Sequence, residues 1–149
     1  MFHHTHVYIA SRLYKSIDPL LLVGSMLPDI AVTKIIAWEG GLHGRESTKK
    51  FSQFIKKHPA YLNLYKGIYS HNIVDDLTHT EYRGGVGYAY QNNEELTRLV
   101  AEYYDLDKKA ARGKAHNYIE SGVDIVFLAQ HPEIPKQLKM AIQGTDTQK

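Results

Sequence analysis

The chain has 149 residues, enough to close one hydrophobic core, and a single domain across residues 1–149 is expected. Hydrophobic residues make up 43% and charged residues 23%, an ordinary globular balance, and the net charge of +2 is too small to argue for nucleic acid or an anionic membrane surface as partner. With no cysteine, disulfides, thiolate metal sites and cysteine nucleophiles are excluded, while nine histidines and eleven tyrosines direct attention to metals and acid–base chemistry.

The N-terminal stretch "MFHHTHVYIASRLYK" lacks the basic-then-apolar layout of a secretory signal, so a cytoplasmic protein is expected. Residues 5–16 carry helical spacing in Ile9 and Leu13, continued at Ile17, with Thr5 as the expected N-cap. Asp18 caps a helix beginning at Pro19, and Gly24 and Pro28 predict a bend. "EGGLHGRES" reads as a loop holding His43. "STKKFSQFIKK" follows as an amphipathic helix with Phe51, Phe54 and Ile55 on one face. A long helix starts at Pro59 and runs to His79, and "EYRGGVGYAYQNN" is a Gly/Tyr loop. Helices over 93–105, 107–130 and about 134–143 complete the chain. No segment alternates with period two, and no apolar run reaches the roughly 18 residues that span a bilayer. The expected fold is all-α, a compact multihelical domain without stable membrane insertion.

Two helices place polar groups on apolar faces. In "HNIVDDLTH", residues 71–79, the 100° helical step puts Asp75 about 40° from His71, His79 about 80° away and Asp76 about 140° away. His71, Asp75 and His79 form one stripe that continues back through Ile68 and Leu64, whereas Asp76 shares the more polar edge with Asn72. His116 and Glu120, four apart, project to the face of Ile119, Val123 and Phe127. Unpaired buried carboxylates cost several kcal/mol, and a metal ion satisfies imidazole and carboxylate together. A surface hydrogen bond within each pair is the alternative explanation.

His6 in "THVYIASRL", Asp29 in "GSMLPDI", His43 in "GLHG", then "GIYSHNIVDDLTH" and "AHNYIESGVD" follow in order. This order resembles the zinc-dependent phospholipase C family, whose relatives include the single-strand-specific nucleases, over roughly residues 5–125. The resemblance implies a helical domain with a cluster of two or three zinc ions in a cleft. Asp29, His43, His71 and Asp75 would hold one ion. His79, His116 and Glu120 would hold the second, and His6, with Asp75 bridging, the third. Secreted members ligate one zinc through the backbone of the mature N-terminal residue. Here five residues precede His6, so His3 or His4 would have to substitute. The implied activity is hydrolysis of a phosphodiester or phosphomonoester by metal-activated water, with Asp29 also assisting deprotonation. The nitrogen and oxygen donors suit Zn, and Fe or Mn nearly as well.

Other residues have two readings each. His3 and His4 are spare ligands or loose N-terminal residues. His58 and His131, each before a proline, read as surface residues. Asp124 orients a ligand or caps a helix. Arg45 and Arg83 are either substrate-phosphate contacts or solvated cations. Tyr82, Tyr88 and Tyr90 form a lid or stacking surface at the site mouth, or pack on neighbours. The expected substrate is a small phosphoester or a phospholipid headgroup. The alternatives are an HD-type phosphohydrolase, which needs an adjacent His-Asp pair absent here, and a non-catalytic metal-binding or regulatory helical domain.

Overall fold

The computed structural model describes residues 3–29, 42–80, 86–91 and 93–146, without the side chains of residues 45, 145 and 146. All regular elements among them are helical. They are α1 (His3–Tyr14), α2 (Pro19–Gly24), α3 (Gly44–Lys57), α4 (Leu62–His79), α5 (Tyr88–Gln91), α6 (Glu94–Tyr104), α7 (Lys108–Gln130) and α8 (Glu133–Asp146). Helix type and order follow the sequence periodicity, while several ends differ. Asp18 caps α2 as expected, its Oδ1 accepting from Leu20 N at 2.9 Å and Leu21 N at 3.3 Å. Pro59–Tyr61 is a 3₁₀ turn leading into α4, and the expected Gly/Tyr loop contains α5. Helix α3 begins at Gly44, three residues inside the expected loop.

Two corrections concern α1. Thr5 is not its N-cap, because the helix already runs from His3. Its buried face is His6, Val7 and Ala10, whereas Leu13 and Ile17 are 59% and 65% exposed. The polar histidine belongs to the inward face, a choice that apolar periodicity alone reverses.

The position of α4 is set by a glycine contact. A Cβ on Gly67 would lie 2.3 Å from Leu21 O and 2.6 Å from Ser25 N. One on Gly24 would lie 2.3 Å from Leu64 O. Backbones of α2 and α4 thus touch where neither helix has a side chain, so Gly24 acts as a packing surface as well as a helix end. Val7, Leu22, Ile134, Leu138 and Ala141 form the main apolar cluster, with Phe127 packed on it. Val100, Ala111 and Ala115 form a second between α6 and α7. His131 is half-buried instead of at the surface, its ring 4.5 Å from Tyr8 and 4.6 Å from Phe127. His58 is exposed. None of the described helices is long and apolar enough to cross a membrane.

Candidate metal centre

The close approach of α2 and α4 brings Ser25 O within 2.8 Å of His71 Nδ1. A carbonyl only accepts, so Nδ1 carries the proton and Nε2 is left facing inward. His71 is completely buried, and its Nε2 has no hydrogen-bond partner among the described residues. Two carboxylates face that nitrogen: Asp75 Oδ2 at 3.3 Å and Asp29 Oδ1 at 3.7 Å. The His43 ring bridges the same carboxylates, Nε2 lying 3.1 Å from Asp29 Oδ1 and Nδ1 3.2 Å from Asp75 Oδ2. The His6 ring stacks on His71 at 3.8 Å, with its Nε2 3.3 Å from Asp75 Oδ1. Four separate chain segments meet here: α1, the turn after α2, the loop before α3, and α4.

A second group lies across the gap between α4 and α7. His79 Nε2 is 2.6 Å from Glu120 Oε1, and His116 Nε2 is 3.9 Å from the same oxygen. His79 Nδ1 donates to Asp75 O at 2.9 Å, which directs Nε2 toward Glu120. Asp75 links the groups: its Oδ1 is also 3.9 Å from His79 Nδ1. Tyr90 closes the outer side, with its ring 5.2 Å from His116 and 6.2 Å from His79.

Charge is concentrated unevenly. Burial pushes the Asp75 carboxyl up, but His43, His6 and His71 outweigh it and hold it far below the carboxylate range. Asp29 is likewise lowered, chiefly by His43 working against burial. Burial lowers His43, yet the two carboxylates push it up to about 9. Burial keeps His6 and His116 low, leaving both rings neutral at pH 7. Glu120 raises His79, and His79 in turn keeps buried Glu120 low.

Within 4.8 Å of one another, donor atoms form three sets: His6/Asp29/His71, His43/His71/Asp75 and His79/His116/Glu120. The first two share His71, so they are one basin. His6 is a member of the first set, its ring stacked on the His71 that the first two sets share. The family model for zinc dependent phospholipase C matches residues 5–148. This chain belongs to that family. No curated protein and no solved structure matches it.

The zinc implied by the phospholipase C family fits these donors. His71 Nε2 is an inward nitrogen between two carboxylates, an arrangement that a cation relieves. Sites of this type need residues that aim the ligands, and one of these was missed in the sequence. Asn72, assigned to the polar edge of α4, is buried. Its Nδ2 donates to Leu42 O at 2.9 Å and Thr48 Oγ1 at 2.8 Å, and its Oδ1 accepts from Gly44 N at 2.9 Å. It therefore fixes both sides of His43. Its signal was a carboxamide beside His71 in a helix interior.

Asp124 resolves toward capping, in trans. Its oxygens accept from His4 N at 3.2 Å, Thr5 N at 3.1 Å and Thr5 Oγ1 at 2.8 Å, tying α7 to the start of α1. His4 Nδ1 also contacts Asp124 at 3.0 Å, and His3 Nδ1 lies 3.4 Å from Asp29 Oδ2. Both N-terminal histidines thus belong to an ordered helix, and His3 borders the first basin. Asp76 instead lines a hollow with Lys49 and Tyr69. Tyr88 is exposed. Tyr82 and Arg83 lie outside the described residues, as does the side chain of Arg45.

Proposed function

We propose that this chain is a zinc-dependent phosphoester hydrolase. The observation that carries the reading is the completely buried His71, whose Nε2 is aimed by the Ser25 carbonyl at Asp29 and Asp75. In this reading Asp29, His43, His71 and Asp75 hold one ion, with His6 joining them. His79, His116 and Glu120 would hold another, and Asp75 reaches histidines of both groups. Zinc bound there supplies Lewis acidity, neutralising phosphoryl oxygens and acidifying water.

The chain's own residues do the remaining work. Ser25 O and Asp75 O fix the tautomers of His71 and His79, so each presents Nε2. Asp29, held ionised by His43, is the carboxylate that accepts the proton of the attacking water. Asn72 holds His43 against Asp29 and Asp75 so that the basin is formed before substrate arrives. The substrate class is a small phosphodiester or phosphomonoester, with a phospholipid headgroup as one member.

Elemental analysis of tag-free protein is expected to find zinc bound, and zinc is expected to restore bis-p-nitrophenyl phosphate hydrolysis after chelation. Phosphatidylcholine, assayed in parallel, separates lipid headgroups from small esters. A folded protein that binds no metal would remove the site. Metal binding without turnover of any ester would leave the non-catalytic metal-binding domain.

A further inference from the structure

Lys108, Arg112, His116 and Glu120 stand four residues apart on α7. Each such step turns the helix by about 40° and advances it about 6 Å, so the four side chains form one slanting row. The row starts in the second basin with Glu120 and His116 and continues outward into two cations. Arg112 places its guanidinium carbon 5.0 Å from the centre of the Tyr90 ring, the same ring that lies 5.2 Å from His116. Tyr90 is thus a wall shared by the metal basin and the space beyond it.

That space is a cavity of about 810 Å³, and Tyr90, Asn93, Thr97, Arg98, Lys108 and Arg112 are among its lining residues. Its size is that of a small-molecule site. Asn93 and Thr97 are buried in its floor, and Thr97 Oγ1 has no hydrogen-bond partner among the described residues. On the α6 side, Glu95 is paired with Arg98 at 2.7 Å, and Arg98 also reaches Glu102 at 2.6 Å. Lys108 and Arg112 have no ion pair among the described residues, which leaves the α7 wall positive. Among the described lining residues Glu94 is the one carboxylate without an ion pair, and it belongs to the α6 side.

We infer that this cavity is a substrate subsite for a second anionic group, carried one step beyond the phosphate held at His79, His116 and Glu120. The inference rests on the proposed function only for the placement of a phosphate at that basin. Arg112, oriented by its stack on Tyr90, meets the second phosphate with a planar fork, and Lys108 adds a point charge. A cationic headgroup of the choline type meets two like charges here and is selected against.

Thymidine 3′,5′-bisphosphate and thymidine 5′-monophosphate differ by one phosphate placed one sugar away. Calorimetric titration of the zinc-loaded protein with each reads the subsite without turnover. The bisphosphate is expected to bind about ten-fold tighter or more. Arg112→Gln is expected to bring the two within about two-fold of each other, and Arg112→Lys to keep part of the preference. Equal affinities in the unaltered protein would overturn the inference. So would a preference that survives Arg112→Gln combined with Lys108→Gln. Cleavage of the p-nitrophenyl ester of thymidine 5′-phosphate, followed in parallel, tests the other reading separately. An intact preference without cleavage would support the subsite and remove the hydrolase.

Discussion

The two donor basins are built differently. The first gathers His6, Asp29, His43, His71 and Asp75 from four chain segments, and His71 within it is fully buried. The second draws on two helices, and His79 and His116 remain 27% and 18% exposed. In the first, buried Asp29 and half-buried Asp75 are surrounded by imidazoles on several sides. In the second, one carboxylate faces two histidines and an aromatic wall beside a cavity. Enclosure favours retention of a cation, while an open side admits substrate and exchange. The first basin is therefore expected to anchor its ion and the second to exchange it, with Asp75 coupling them.

Asp75→Asn tests that coupling most severely. Each Asp75 oxygen serves different histidines, so metal affinity is expected to fall in both basins, on the order of 100-fold or more by metal-competition titration. Asp76→Asn, which faces another hollow, should leave affinity unchanged. Equal loss in the two variants would refute the division of the stripe.

Gly67→Ala attacks the first basin through the fold. Its Cβ meets the α2 backbone, so unfolding in urea should show a loss of about 1–3 kcal/mol. The His71–Ser25 hydrogen bond is expected to loosen with it, weakening the first ion more than the second. Asn72→Ala spares the helix packing and frees the His43 loop. A loss of roughly 10-fold in affinity at the first basin, with the second unchanged, is expected in the same titration.

Protons compete with metal in both basins, at His79 in the second and more strongly at His43 in the first. His43 is held at about 9 by two carboxylates in the metal-free protein. Its folded value is above the unfolded one, so the stability it contributes is complete below about 6.5 and is lost as pH rises through about 9. His6 and His116, held low, are already neutral across that window. Metal-free protein should therefore lose about 1–2 kcal/mol between pH 6.5 and 9, seen by denaturant titration. Over the same interval the first ion should bind more tightly, because its ligand no longer has to release a proton. Parallel trends in both measurements would exclude His43 as the competing group. The smallest effect belongs to Gly113→Ala in α7, where a Cβ meets nothing within 4 Å and a gain of about 0.5–1 kcal/mol is expected.

Much of this was readable in advance because it depends on local geometry. The helical step alone separates Asp75 from Asp76 and aligns His116 with Glu120. The Asp18–Pro19 start and the Asp107 start of the long α7 are local hydrogen-bond chemistry, and both are seen. Apolar periodicity failed on α1, where the buried side carries His6 and leaves Leu13 outside. A hydrophobic count gives an inward histidine no weight. Asn72 was misplaced for a related reason: its partners, Leu42, Gly44 and Thr48, lie 24 to 30 residues away in the chain.

The sequence by itself determined an all-α chain, the stripe of His71, Asp75 and His79, the His116–Glu120 pair and the resemblance to the phospholipase C family. These follow from the fixed turn of a helix and the order of short motifs. Tertiary structure alone decided that His71 is shared by the His6 and His43 donor sets, that His79, His116 and Glu120 meet across α4 and α7, and that Asp124 caps α1 from α7. It also placed Arg112 and Lys108 beside a cavity. The reason is the contact at Gly24 and Gly67, where α2 and α4 meet backbone to backbone. That approach sets which distant carbonyl reaches His71, and the rest of the first basin assembles around the nitrogen it leaves facing inward.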